Sequence, residues 1–492
     1  MNDAELDFSN PYDPEYFRAQ GHKLVDTLSD YLSQVIHGEG MSVYPGTDPD
    51  ELAGIFSLDS EGGENEEFND YIKRIVKYSN HLHHPKYIGH QVNPPLPLPV
   101  LIQLCTALLN NSSAIFEMGP VNMAMERNIV RHFGELIGYR DNFDGIFTHG
   151  GSIGNLTGML SARQDFANRN IRVNGVVNGV NDEETPGFVV SEQSHYSIGR
   201  NIKIMGLGEE SIIKIPCDSK FRMRTELLKE TKMRAEEKGI KVISVVANAC
   251  STATGSYDDL SGIADFCEEH KLWMHVDGAH GLPVLFSDRY RNRIEGVGRA
   301  DSIVIDFHKM MLVPSLNTLV MFKDSEKSYQ TFSQKASYLF KKSAENTWYN
   351  GALRTAECTK SAMGIVAFTA LKYYGKSYFK EYIDSRYDLA IKFADMIKAS
   401  RDFELATYPD ANIICFRYVR AGFDADTLNR LNEEVRERLI SEGTFYIVLV
   451  ELNGKIWIRI TIINPCTSED TLKDLLSAIS KTSEEILLSF QS

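Results

Sequence analysis

The sequence predicts an α/β fold: a mainly parallel sheet, seven-stranded in type, flanked by helices. Three observations carry this. From about residue 144, short uninterrupted apolar runs recur, each ending in glycine or polar residues: "GIFTHGG", "GFVVSEQSH", "KVISVVANACSTATG", "LWMHVDGAHG" and "SIVIDFHK". Segments with helical periodicity separate them. Of the 492 residues, 43% are hydrophobic, enough for a large core. A strand covered on both faces shows no alternation of apolar and polar residues, so continuous runs indicate buried parallel strands. In such sheets the functional groups gather beyond the strand C-termini.

Before that region the chain is helical. Residues 15–36 place Phe17, Leu24, Leu28, Leu32 and Val35 near helical spacing. The acidic stretch "DSEGGENEEFND" predicts a loop, followed by a helix at about 67–80. The prolines of "NPPLPLP", 93–99, exclude regular structure. Helical patterns resume through "LIQLCTALLNN" and over 121–137. After about 376 the order is helix, strand, helix, with "IWIRITIINP" the clearest strand. The expected division is therefore a helical segment at 1–92, a large α/β domain at 93–375 and a small α+β domain at 376–492.

Composition excludes several classes. A net charge of −15 argues against a nucleic-acid or anionic-membrane surface, which needs a basic face. The seven cysteines are scattered without C-x-x-C spacing, the pattern of reduced thiols in a cytoplasmic protein. No apolar stretch approaches the ~20 residues of a membrane-spanning helix. The acidic start, "MNDAELDFSNPYDPEYF", has no apolar core of a signal peptide.

"THGGSIGNL" admits two chemistries. Gly150-Gly151-Ser152-Ile153-Gly154 spells the G-x-S-x-G elbow of α/β-hydrolases, with Ser152 as nucleophile. It is equally a glycine turn opening a helix, whose N–H groups cradle a phosphate. The hydrolase reading needs its oxyanion segment on an earlier loop, whereas here "HGGS" and "GGSIG" overlap. Asp277 and Lys309 stand at two strand ends. Alone they would read as an ion pair. Beside a phosphate-binding turn they match what pyridoxal 5'-phosphate requires: a lysine for its Schiff base, a carboxylate for its ring nitrogen and a phosphate cradle.

From about residue 80 onward the chain resembles the group II pyridoxal-phosphate-dependent amino acid decarboxylases. That family includes aromatic amino acid, glutamate, cysteine sulfinate and diaminobutyrate decarboxylases. The resemblance rests on "HPKYIGHQVNPP", "GGSIGNLTGMLSAR", "SEQSHYS", "STATGSYDDL", "HVDGAHG", "DFHKMM" and "RITIINPCTSEDTL", taken in order. It implies a fold-type I transferase architecture, and a homodimer in which 1–92 helps join the subunits and the active site lies at the interface. It implies that Lys309 carries the cofactor, with His308 beside the phosphate and Gly151 and Ser152 binding it. Asp277 would pair with the ring nitrogen, and Ala279 and His195 would cover its two faces. His195 would also approach the substrate carboxylate, and Thr252 would lie near the cofactor. His90 and Asn93 would border the substrate, an L-amino acid, and Tyr338 would sit on a mobile loop and return a proton to Cα. The implied reaction yields an amine and CO₂. The rival on the same scaffold is an aldehyde-forming oxidative decarboxylation or a carbon–carbon lyase, and a non-enzymatic binding protein is a further one.

The chain departs from the family pattern at Asp306-Phe307, where many members carry Asn-Pro, and at Gly278 and His280. An acid at 306, near a phosphate, should be turned away or hydrogen-bonded.

Overall fold

The computed structural model describes residues 12–38, 40–58, 66–166, 185–332 and 348–489. Tyr338 lies outside them. The chain divides into two compact units, one of 1–90, 417–460 and 464–492, the other of 91–416 and 461–463.

The larger unit holds a seven-stranded sheet: β1 (Asp144–Thr148), β2 (Thr185–Ser191), β3 (Ile212–Ile215), β4 (Ile240–Asn248), β5 (Trp273–Asp277), β6 (Ser302–Asp306) and β7 (Thr318–Phe322). Their order across the sheet is β1-β7-β6-β5-β4-β2-β3. The neighbours from β6 to β3 pair in parallel, and β7 runs antiparallel to both β1 and β6. The five apolar runs are thus β1, β2, β4, β5 and β6, and β1, β5 and β6 are buried at every position. The apolar-run criterion did not single out β3 and β7.

Two expectations about helices need correction. The helix Pro97–Leu109 begins inside the proline stretch, with prolines in its first turn. Nitrogens there have no intrahelical partner, so proline loses no hydrogen bond. The boundary expected near 376 falls within a long helix, Met363–Ala399, at a break marked by Gly375 with φ of 74°. Beyond that break Phe379, Ile383 and Tyr387 still join the core of the large unit. Residues 376–416 therefore belong with the sheet, and the first 90 residues group with the C-terminal ones.

Four short strands follow, β8 (Phe403–Leu405), β9 (Ile413–Tyr418), β10 (Val448–Leu452) and β11 (Lys455–Thr461), forming a small second sheet. β10 and β11 pair antiparallel, with Val450 opposite Trp457. "IWIRIT" is β11, as expected. No disulfide links any of the seven cysteines. Among the described residues no helix is long and apolar enough to cross a membrane.

Candidate active site

At the C-terminal ends of the large sheet's parallel strands lies a cavity of about 370 Å³. Each wall is supplied by the end of a strand. β1 delivers the turn at Gly150, where a φ of 90° lets the chain enter the helix Gly151–Phe166. Backbone N–H groups of that first turn have no intrahelical acceptor, and the helix dipole favours an anion there. A side chain on residue 151 would bring its Cβ to 3.0 Å from Asp306 Oδ2, so any larger residue would have to displace that carboxylate by a few tenths of an ångström.

β2 leads to His195, which caps the helix Tyr196–Ile204. Its Nδ1 accepts from Ser197 N–H at 3.3 Å and lies 2.7 Å from Ser197 Oγ, which fixes the Nε2–H tautomer when the ring is neutral. Burial lowers its pKa against the opposing pull of Asp277. After β4 comes the turn carrying Thr252, braced by Ser251 Oγ and Thr254 Oγ1 at 2.8 Å.

β5 ends on Asp277, 7% exposed. Its Oδ2 accepts from Asn155 Nδ2 at 3.1 Å and its Oδ1 from Ala279 N–H at 3.3 Å. A carboxylate has about four acceptor sites, so both oxygens keep capacity for a ring N–H.

β6 ends on Asp306, and Phe307, His308 and Lys309 follow. Lys309 Nζ lies 2.9 Å from Asp306 Oδ2. Burial works to lower the lysine pKa, but Asp306 outweighs it, with help from Asp277, and holds the pKa above its usual value. Burial would raise the pKa of Asp306, yet Lys309, His308 and a 2.6 Å hydrogen bond from Thr318 Oγ1 keep it low. The acid is hydrogen-bonded, as expected, and the hydroxyl that holds it comes from β7. His308 turns Nδ1 to the backbone of Asn317, with Nε2 3.7 Å from Asp306.

Phe307 explains the other half of that departure. Fully buried, it lies 5.2 Å from the ring of Phe133 and 5.4 Å from Phe147, centroid to centroid. An aromatic residue here nails the lysine-bearing turn to the core. At Gly278 a Cβ would approach Val304 O to 2.9 Å. His280 is buried, with Nε2 2.9 Å from Asn412 Oδ1.

Gly151, Ser152, His195, Thr252, Asp277, Ala279, His308 and Lys309 all line the one cavity. Asn93 spends both amide hydrogens on main-chain carbonyls, those of Lys309 (3.0 Å) and Val313 (3.1 Å), and so braces the lysine turn from below. His90 belongs to the other unit, where its ring stands 5.7 Å from that of Tyr446, and burial lowers its pKa. Sequence reasoning gave no role in this lining to Asn155 and Cys250. Asn155 follows Gly151 by one helical turn, a spacing that points it the same way. His149 directs its ring nitrogens to Glu357 (2.7 Å) and Ser361 (2.9 Å), not to Ser152.

An amine, a carboxylate with acceptor capacity and an open helix N-terminus are the donor set that pyridoxal phosphate needs, and the cavity meets that chemistry. Comparison with known proteins agrees. Residues 59–419 match the family model described as the pyridoxal-dependent decarboxylase conserved domain. An aromatic-L-amino-acid decarboxylase of Bacillus atrophaeus is 26% identical, covering 97% of this chain and 97% of its own. An L-2,4-diaminobutyrate decarboxylase of Acinetobacter baumannii is also 26% identical, with 90% and 89% covered. The structure of Oryza sativa TDC with PLP and tryptamine superposes with a TM-score of 0.87 at 20% identity, over 97% of this chain and 99% of that one. The chain belongs to the pyridoxal-dependent decarboxylase family, as a group II pyridoxal-phosphate-dependent amino acid decarboxylase of fold type I.

Proposed function

We propose that the protein removes the α-carboxyl group of an L-amino acid, giving the amine and CO₂, with Lys309 as the residue that carries the cofactor. One observation supports this most directly: Lys309, Asp277 and the 150–152 turn converge on a single cavity from three separate strand ends. When bound, the cofactor's ring accepts the electron pair released as CO₂ departs.

The protein's own groups divide the remaining work. Asp277 holds a proton at the ring nitrogen, and Ser152 and the first-turn N–H groups hold the phosphate. Asp306 keeps the Lys309 ammonium in place before the cofactor arrives. His195, with Nε2–H directed away from its cap, orients the substrate carboxylate. Tyr338, outside the described residues, returns the proton to Cα. Asn93 holds the lysine turn. We also propose a homodimer: the helix Pro97–Leu109 exposes Leu101, Leu104, Leu108 and Leu109 by 42–67%, a face suited to a second copy.

The test is to reconstitute the protein with pyridoxal phosphate and measure CO₂ release and product identity across the L-amino acids. Stoichiometric amine from one substrate class is expected. Aldehyde with peroxide would move the reaction to the oxidative class. No CO₂ from any amino acid would refute the reading.

A further inference from the structure

Behind Asp277 runs a line of buried polar side chains. Trp273 Nε1 is 2.8 Å from Ser302 Oγ, and Ser302 Oγ is 2.7 Å from His275 Nδ1. His275 Nε2 is 3.0 Å from Asn155 Oδ1, and Asn155 Nδ2 is 3.1 Å from Asp277 Oδ2. Trp273, Ser302, His275 and Asn155 are each at most 5% exposed. Their assembly follows from the fold. Trp273, His275 and Asp277 alternate along β5, so they share one face of the sheet. Ser302 is the register partner of His275 on β6. Asn155 reaches down from the helix covering that face. The helix comes close because residue 158 is glycine: a Cβ there would stand 2.6 Å from His275 Cε1.

The chemistry of the two ends sets the direction of every bond between them. An indole N–H only donates and a carboxylate only accepts. Ser302 Oγ therefore accepts from Trp273 and gives its own hydrogen to His275 Nδ1. Burial pushes the His275 pKa down to about 3, so the ring is neutral and its one hydrogen sits on Nε2. That hydrogen goes to Asn155 Oδ1, which turns the amide NH₂ towards Asp277. All four bonds donate in the same sense.

We propose that Trp273, Ser302, His275 and Asn155 are positioning residues that fix the rotamer of Asp277 and present its carboxylate as an acceptor to the cofactor's ring nitrogen. The role rests on the cofactor reading of the cavity, and goes beyond it by naming what holds the acid. Hydrogen bonds in such a series polarise one another, so a change at the far end is felt at the carboxylate, with attenuation.

Two measurements test this. In the parent apoprotein, labelled with ¹⁵N-histidine, His275 should show the Nε2–H tautomer and no titration near neutral pH; an Nδ1–H tautomer would overturn the direction and the proposal. In holoenzymes, the pH at which the visible cofactor band converts should rise in Asn155→Ala, because Asp277, no longer held by the amide, would present a poorer acceptor to the ring nitrogen. Cofactor should also dissociate about tenfold more readily, as expected when a bond to a charged group is weakened. His275→Leu should shift the band in the same direction. His275→Gln, which keeps one acceptor and one donor, should restore it, and Trp273→Phe should shift it least. Melting temperatures should rank differently, with Trp273→Phe among the more damaging because it removes buried bulk. A band unmoved in Asn155→Ala, or shifts that simply track melting temperature, would overturn the role while leaving the cofactor reading intact. A parent protein with no visible band would overturn both.

Discussion

Asp306 stands 3.0 Å from where a side chain on Gly151 would begin, beside a helix terminus suited to an anion. It is tolerable there because Thr318 and Lys309 take up its charge. Removing that charge in Asp306→Asn leaves burial as the main influence on Lys309, so the amine pKa should fall. The variant apoprotein should then capture pyridoxal phosphate faster near neutral pH, with the rate profile displaced to lower pH in stopped-flow absorbance. Ser152→Ala deletes one proposed phosphate donor, worth about 1.5–3 kcal/mol. Its cofactor dissociation constant should rise on the order of tenfold to a hundredfold, while turnover persists at saturating cofactor. His275 also makes a stability prediction. Its folded pKa lies below its unfolded value of about 6.5, so the neutral form that folding requires costs nothing above that pH. Stability should fall by on the order of 1 kcal/mol per pH unit as pH drops below about 6.5, and His275→Gln should flatten that slope in denaturant titrations. Asp277, Lys309 and the glycine turn, which line the cavity, were legible in the sequence because strand ends followed by glycine or polar residues announce themselves; His195, Thr252, Ala279 and His308 were pointed to only by the family resemblance. Asn155 and Ser302 were not legible, since their meaning depends on a helix and a neighbouring strand brought against β5.

At the scale of elements, the lysine-bearing turn is held by its hydrophobic side as much as by its polar one. Phe307 packs against Phe133 and Phe147, and Phe133 against Phe286 at 5.8 Å. Phe307→Ala should cost about 3–5 kcal/mol, as truncating a buried aromatic does. Calorimetry should show the loss in the apoprotein, and cofactor should partly offset it by binding only the folded state. The strands with continuous apolar runs were readable for the same reason that they are central: both faces are covered. β3, only partly buried, offers a weaker signal. β7 is fully buried, but its antiparallel insertion between β1 and β6 is decided by packing that no local pattern encodes. The 97–109 helix escaped for a third reason, since prolines that break a helix interior are harmless in its first turn.

For the whole molecule, the exposed leucines of that helix lead to a prediction about assembly. Sedimentation should show a species of twice the 55.5 kDa chain mass. Leu104→Asp with Leu108→Asp should shift it towards the monomer and reduce activity, if the proposed interface completes the site. A monomeric parent protein with full activity would refute the dimer proposal. The division into units was only partly readable, because the first 90 residues group with the last ones, and an association across most of the chain leaves no mark on either segment.

The two hydrogen bonds of Asn93 have a consequence for biosynthesis. They join positions 216 and 220 residues apart. At a synthesis rate of roughly 5–20 residues per second, the amide emerges about ten to forty seconds before the carbonyls it must meet. Throughout that interval the leucine-rich helix just after it is also exposed to the cell, with neither its own domain nor the proposed second subunit to cover it. Such a nascent chain is a natural client for a chaperone that shields apolar helices, and the demand should be greatest when translation pauses between residues 110 and 309.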